Sequence, residues 1–189
     1  MNLLEALIKI QDEQDGMLAF RYSCRGAVCG SCAMRVEGKV VLACRTHVED
    51  LLGKTVLIEP LPYFLVIRDL IVDMSTFFEN YRRIKPYLHG KSVSLLSEYV
   101  MREDERKEID PYIQCILCGI CFGVCPAFKR DHQFLGPAML ARVYRFLTDP
   151  RDRRGKKILT EVNGQKGVWG CNTVFQCVKV CPKEVPPTH

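Results

Sequence analysis

The chain has 189 residues, 48% of them hydrophobic and 26% charged, with a formal net charge of +5; it is too apolar for a disordered chain and long enough for one domain or two small ones. Eleven cysteines stand out, and an odd number argues against a purely disulfide framework. Residues 1–109 carry 15 basic against 16 acidic side chains and residues 110–189 carry 12 against 6, a basic half that suits nucleic acid or a membrane surface unless its seven cysteines bind metal as thiolates and offset the charge.

Leu3, Leu4, Leu7 and Ile8 recur at helical spacing behind Asn2, which predicts a short amphipathic helix from Asn2 to Ile10 with Asn2 as its N-cap. Glu5 and Lys9 within it are unlike the unbroken apolar run of a signal peptide. After a polar turn at Gln11–Gly16 come Met17–Tyr22 and a cysteine loop. In Ala33–Cys44, Glu37-Gly38 parts two runs of β-type residues and predicts a hairpin. Thr55–Glu59 reads as another strand, stopped by Pro60 and Pro62. Beyond Pro62 strand signals become scarce. Ile67–Arg83 places apolar residues at helical intervals, Ser92–Glu108 is charged and helix-prone, and Gly136–Leu147 predicts a helix with Pro137 in its first turn. This shift sets a mixed α and β domain over residues 1–65 against a helical one over 66–189. The most apolar windows, Leu61–Ile67 and Ile113–Phe128, fall short of the roughly 20 residues of a membrane span.

The cysteines fall into three runs. Cys24-x4-Cys29-x2-Cys32, followed after 11 residues by Cys44, has the plant-type 2Fe-2S spacing. Small residues between them, such as Gly26, Ala27 and Gly30, let backbone wrap a cluster and aim N–H groups at its sulfurs. A zinc site is the competing reading, but zinc knuckles favour paired C-x2-C units and only one is present in this run. Cys115-x2-Cys118-x2-Cys121-x3-Cys125-Pro126 is the bacterial ferredoxin run, in which the fourth cysteine serves a second cluster. The partner run is Cys171-x2-Val174-x2-Cys177-x3-Cys181-Pro182, the same frame with Val174 in place of its second cysteine.

With the usual exchange of ligands, Cys115, Cys118, Cys121 and Cys181 hold a 4Fe-4S cluster. Cys125, Cys171 and Cys177 are left with three thiolates and an apolar corner at Val174, which makes a 3Fe-4S cluster. The partition uses all eleven cysteines. Clusters bound by thiolates roughly cancel the formal positive charge. A local surplus remains at Arg151, Arg153, Arg154, Lys156 and Lys157, read first as a solvated run and second as a docking patch for a partner or phospholipid.

Three clusters in this order resemble the iron-sulfur subunit of succinate dehydrogenase and fumarate reductase, the respiratory complex II family, over nearly the whole chain. The resemblance is carried by Ser23-Cys24-Arg25-Gly26, Cys29-Gly30-Ser31-Cys32-Ala33-Met34 and Leu42-Ala43-Cys44 in the first half. Beyond them it runs through Asp69-Leu70-Ile71-Val72-Asp73, Gly136-Pro137-Ala138, Tyr144-Arg145-Phe146, Asp149, Arg151-Asp152 and Cys181-Pro182-Lys183. It implies an α+β chain: a β-grasp 2Fe-2S ferredoxin domain followed by an all-α dicluster ferredoxin domain. It also implies electron transfer between a flavoprotein subunit holding FAD and membrane quinone, with dicarboxylate chemistry on the other chain. Membrane anchor subunits, haem in some of them, would hold the chain peripherally on the cytoplasmic face of a bacterial or archaeal inner membrane, or on the matrix side in a mitochondrion. No nucleic-acid partner is expected.

By position the family's quinone pocket falls on Pro126, Ala127, Lys129, Arg130 and Asn172. Ubiquinone-reducing members carry tryptophan near Lys129 and Arg130 and histidine at Asn172, so neither the quinone type nor the direction of electron flow follows. Family members also have a β-hairpin ahead of Asn2–Ile10 and a helix after the last Cys-Pro. The sequence has neither, and a β-grasp sheet without its first hairpin would expose an edge, so the expectation is a truncated or misstarted reading frame. The alternatives are an iron-sulfur carrier or subunit of another flavoprotein oxidoreductase, such as a heterodisulfide-reductase-like complex, and a structural zinc protein binding nucleic acid through Arg151–Lys157.

Val174→Cys should supply the fourth thiolate of the last frame, convert 3Fe-4S to 4Fe-4S, lower its potential and impair transfer to quinone. Unchanged iron content and cluster spectra in that variant would refute the frame.

Overall fold

The computed structural model of the protein describes residues 1–51, 53, 55–90 and 100–187. Helix α1 (Leu3–Glu13) starts as expected: Asn2 Oδ1 accepts from the Glu5 N–H and Glu5 Oε2 accepts from the Asn2 N–H, a reciprocal capping box. It runs three residues past its expected end. Gln11 turns back to donate to the Leu18 carbonyl at 2.6 Å and Lys9 pairs with Glu13 one turn on, contacts that periodicity does not register.

Strands β1 (Ala33–Val36) and β2 (Lys39–Leu42) form the expected hairpin, with Met34 opposite Val41 and Val36 opposite Lys39. Glu37 at φ 47° and Gly38 at φ 76° make the two-residue turn, whose positive angles match the twist of the strands. Strand β3 (Ile58–Glu59) pairs antiparallel with β1, giving the sheet order β2-β1-β3. It is shorter than the Thr55–Glu59 reading. Inward-facing Met34, Val36, Val40 and Leu42 pack with Leu3, Leu4 and Leu7 of α1 in a first core.

The helical reading of Ile67–Arg83 needs correction. Its first part is a two-stranded ribbon, β4 (Val66–Arg68) and β5 (Ile71–Val72), turned at Asp69 with φ 45°. Tertiary hydrogen bonds override the period. The Ala19 N–H donates to Asp69 Oδ2, the Leu70 N–H to the Ala19 carbonyl, and Arg68 Nη2 to the Met17 carbonyl. Only α2 (Ser75–Arg83) is helical there, with Phe77 fully buried.

Helix α3 (Glu103–Ile113) lies in the charged stretch, whose residues 92–99 fall outside the described ones. The short α4 (Pro126–Arg130) follows Cys125. Helix α5 (Pro137–Thr148) matches its expectation, entered through Gly136 at φ 89°. A Cβ there would lie 2.0 Å from the Phe122 ring, so only glycine fits. The last helix, α6 (Gln176–Lys179), is a single turn. A second core gathers Phe77, Phe122, Phe128, Met139, Val143 and Phe146 beneath these helices.

The basic run after α5 is neither a plain solvated face nor a free patch. Arg151 and Arg145 both pair with Asp149, whose side chain is fully buried. Arg154, 13% exposed, pairs with Asp152 and donates to the carbonyls of Ile84, Lys85 and Tyr87, clasping two loops together. Burial opposes ionisation of Asp152, but hydrogen bonds from the Arg154 side chain and from backbone N–H groups outweigh it and hold the carboxyl below its ordinary value. Lys156 and Lys157 are exposed.

Arg154→Ala strips a buried carboxylate and three carbonyls of their partner, a loss of about 3–5 kcal/mol. Hydrogen exchange should show residues 84–89 and 150–154 losing protection together. Because the folded Asp152 carboxyl titrates below its unfolded value, the clasp is at full strength above the unfolded carboxyl range and weakens as pH falls through the folded value. The variant should show a weaker pH dependence, since the backbone N–H groups of Arg154 and His89 still reach Asp152.

Candidate metal centres

Backbone conformation, not regular structure, positions the first cysteine run. Arg25 and Ala27 at φ 55° and Gly30 at φ 73° curl residues 24–30 into a loop with its amides turned inward. The N–H groups of Gly26, Val28 and Cys29 point at Cys24 Sγ at 3.4, 3.2 and 3.2 Å, and that of Cys24 at Cys29 Sγ at 3.5 Å. The turn that follows β2 (Ala43–Arg45) supplies the fourth thiol: the Ala43 N–H donates to the Cys32 carbonyl at 3.0 Å, bringing Cys44 beside the loop. Such a cradle favours negative sulfur. Burial opposes ionisation of Cys29, yet donors from Ser31 and Cys24 outweigh it and bring the thiol down to about 6. Burial pushes Cys32 up to about 11, with the charges of Cys44 and Cys29 adding.

The other two runs interleave. Cys115, Cys118, Cys121 and Cys181 line one cavity between the end of α3 and the loop after α6. Cys125, Cys171 and Cys177 line another, with Val174, Pro126 and Asn172 in its wall. No aspartate, glutamate or histidine lines either. Thiols in apolar walls fit iron-sulfur clusters, whose soft sulfur ligation tolerates a low dielectric. Desolvation pushes Cys118 up to about 12 and Cys121 well above its ordinary value, and the neighbouring thiols add to both. Burial raises Cys177 to about 11, with the charges of Cys125 and Cys171 adding. Metal would have to displace those protons, since the thiolate is the ligand. Among the described residues no three His, Cys, Asp or Glu side chains converge on a point that could hold one metal ion.

Of the residues assigned to quinone, Ala127 also lines the cavity of Cys125, Cys171 and Cys177, and Arg130 Nη2 lies 3.4 Å from Asn172 Oδ1 at its mouth. Lys129 lies outside that lining, its ammonium 5.5 Å from the centre of the Tyr63 ring. Val174 is 47% exposed and Phe175 42%.

One supporting residue escaped the sequence reading. Arg142 of α5 donates from Nη2 to the Cys115 carbonyl at 2.7 Å and so fixes the start of the second run. Its partner lies 27 positions away, and no local pattern marks such a pair.

A loop of inward amides around one thiol set, and two interleaved sets among helices, define an iron-sulfur electron-transfer protein built from a 2Fe-2S ferredoxin domain and a dicluster domain. Residues 1–79 match the family model of a 2Fe-2S iron-sulfur cluster binding domain and residues 112–185 that of a 4Fe-4S dicluster domain. The chain is 38% identical over 187 residues to the mitochondrial succinate dehydrogenase [ubiquinone] iron-sulfur subunit of Candida glabrata, covering 98% of this chain and 74% of that one. A chain of the Mycobacterium smegmatis Sdh1 complex in the apo form superposes with a TM-score of 0.89 at 28% identity, over 99% of this chain and 79% of its own. The protein belongs to the succinate dehydrogenase iron-sulfur subunit family, and its role is electron transfer within an oxidoreductase.

Arg142→Met keeps the stem but frees the Cys115 carbonyl, a loss of about 1.5–3 kcal/mol for a bond to a charged donor. Iron should be lost selectively from the site of Cys115, Cys118, Cys121 and Cys181 during chelator challenge, followed by its own spectroscopic signal.

Proposed function

We propose that this chain relays single electrons between a FAD-bearing flavoprotein subunit, where succinate and fumarate interconvert, and membrane quinone. The observation that carries this reading is the interleaving of the last two cysteine runs around two separate cavities, Cys181 joining the earlier triplet and Cys125 the later pair. The ligand sets are then Cys24, Cys29, Cys32 and Cys44 for 2Fe-2S, Cys115, Cys118, Cys121 and Cys181 for 4Fe-4S, and Cys125, Cys171 and Cys177 for 3Fe-4S. The bound clusters supply one-electron redox chemistry. The residues of this chain supply spacing, a dry surround and N–H groups that stabilise charge on sulfur.

Valine at position 174 offers no ligand where the frame asks for a fourth, which supports a three-iron centre. Pro126, Ala127, Arg130 and Asn172 lie around or at the mouth of the same cavity, so quinone would meet the chain there, with Lys129 on the flank. No described helix is long and apolar enough to cross a membrane. Membrane attachment would run through anchor subunits, with the chain lying peripherally against the cytoplasmic face of the inner membrane or its matrix equivalent.

The deciding experiment is low-temperature electron paramagnetic resonance on anaerobically prepared protein, with iron quantified beside it. A 3Fe-4S signal when oxidised, a 2Fe-2S signal on reduction and about nine irons per chain are expected from the three cluster types. A full iron complement without the oxidised three-iron signal would overturn the assignment at Val174.

A further inference from the structure

Where the first cysteine loop meets the second run, the two backbones touch. Gly30 follows the ligand Cys29 directly and takes φ 73°. A Cβ built on it would lie 2.7 Å from Cys118 Cβ, 2.8 Å from Cys118 Cα and 3.0 Å from the Ile116 carbonyl oxygen. Two of those three atoms are backbone, so no flexible side-chain end can swing aside. Cys118 in turn packs, with Ile116, against the core of the ferredoxin domain. Cys29, Gly30, Leu117 and Cys118 form one wall of a cavity of about 480 Å³ between the domains.

We propose that Gly30 is a positioning residue for electron passage between the first and second centres: lacking a Cβ, it lets the backbone immediately after Cys29 lie against Cys118, so that the bonded path from one thiolate ligand to the other is broken by a single van der Waals gap. The inference rests on the ligand sets proposed above. In the step it serves, one electron leaves the reduced 2Fe-2S centre and enters the oxidised 4Fe-4S centre, or returns. No bond forms or breaks and no further reactant is needed. Tunnelling falls off steeply with distance and more steeply across a gap than along bonds, so the width of this single gap governs the rate. An alanine at position 30 must widen it.

The test compares Gly30→Ala with Gly38→Ala in the loaded protein within its complex. Gly38 takes φ 76°, but a Cβ there would meet nothing nearer than Arg35 Nη2 at 3.9 Å. It therefore carries the same backbone strain without the contact. With both centres reduced, a second paramagnet this close should quicken the first centre's spin relaxation. Gly30→Ala should keep both cluster signals and the iron content while that quickening weakens and single-electron passage slows several-fold; Gly38→Ala should change neither. Intact clusters with unchanged relaxation and rate in Gly30→Ala would overturn the inference. Should Gly30→Ala lose iron, the wild type decides: relaxation of the first centre that ignores the redox state of the second overturns the inference, and relaxation that follows it supports it. Failure of the ligand reading would look different, as missing iron or missing signals in the wild type.

Discussion

Burying a thiolate is costly unless something stabilises its charge, and the rest of this molecule is arranged around that requirement. Removal from water drives Cys118, Cys121 and Cys177 toward the neutral thiol, so iron and directed N–H groups must supply the compensation. Regular helix or strand cannot aim several consecutive amides at one sulfur, because those amides already serve the ladder. The chain therefore leaves regular structure over most of its cysteine runs, with Cys44 and Cys177 each in a single helical turn. Arg25, Ala27, Leu117, Thr173 and Phe175 all take positive φ inside cysteine runs, conformations that cost of order 1–3 kcal/mol each and persist only where surrounding structure holds them.

Two apolar cores provide that holding. Met34, Val36, Val40 and Leu42 clamp the hairpin under the first loop, and Phe122, Phe128 and Met139 pack beneath the other two runs. The cores are not independent. Phe64 and Met74 pack against both, and Ile120, between Cys118 and Cys121 of the dicluster domain, is buried in the first. A motion of one domain against the other would therefore expose apolar surface. That coupling keeps Gly30 against Cys118 and gives the contact a fixed width.

What the sequence revealed, and what it did not, divides by the range of the interaction. The thiol spacing, the Glu37-Gly38 turn and the N-cap at Asn2 are local, and each could be read from neighbours within a few positions. The ribbon at Val66–Val72 could not, because its hydrogen bonds go to Met17 and Ala19, some 50 positions earlier. Arg154 likewise looked like one cation in a charged run. Its partners at Ile84, Lys85 and Tyr87 lie 67 to 70 positions away, and they turn a surface charge into a buried clasp. The thiol positions gave the cluster frame, while the supports at Arg142 and Gly30 depended on tertiary contacts that no periodicity records.

Exposure along the proposed relay follows the same physics. Cys24, at the first site, is exposed, and so are Asn172, Thr173, Val174, Phe175 and Gln176 around the third. Between them, Ile120 and Phe122 are 1% and 0% exposed, so the stretch that would carry the middle ligands is sealed. A relay needs that gradation: its ends must approach donor and acceptor closely, whereas its middle must exclude water that would add reorganisation and leakage. Val174 fits the outer end. In the proposed reading, valine at this corner would change the type of cluster as well as the number of thiolates, and cluster type, hydrogen bonds to sulfur and solvent exposure together set a cluster's potential, so the outermost site would be tuned apart from its four-thiolate neighbour where the chain would meet quinone.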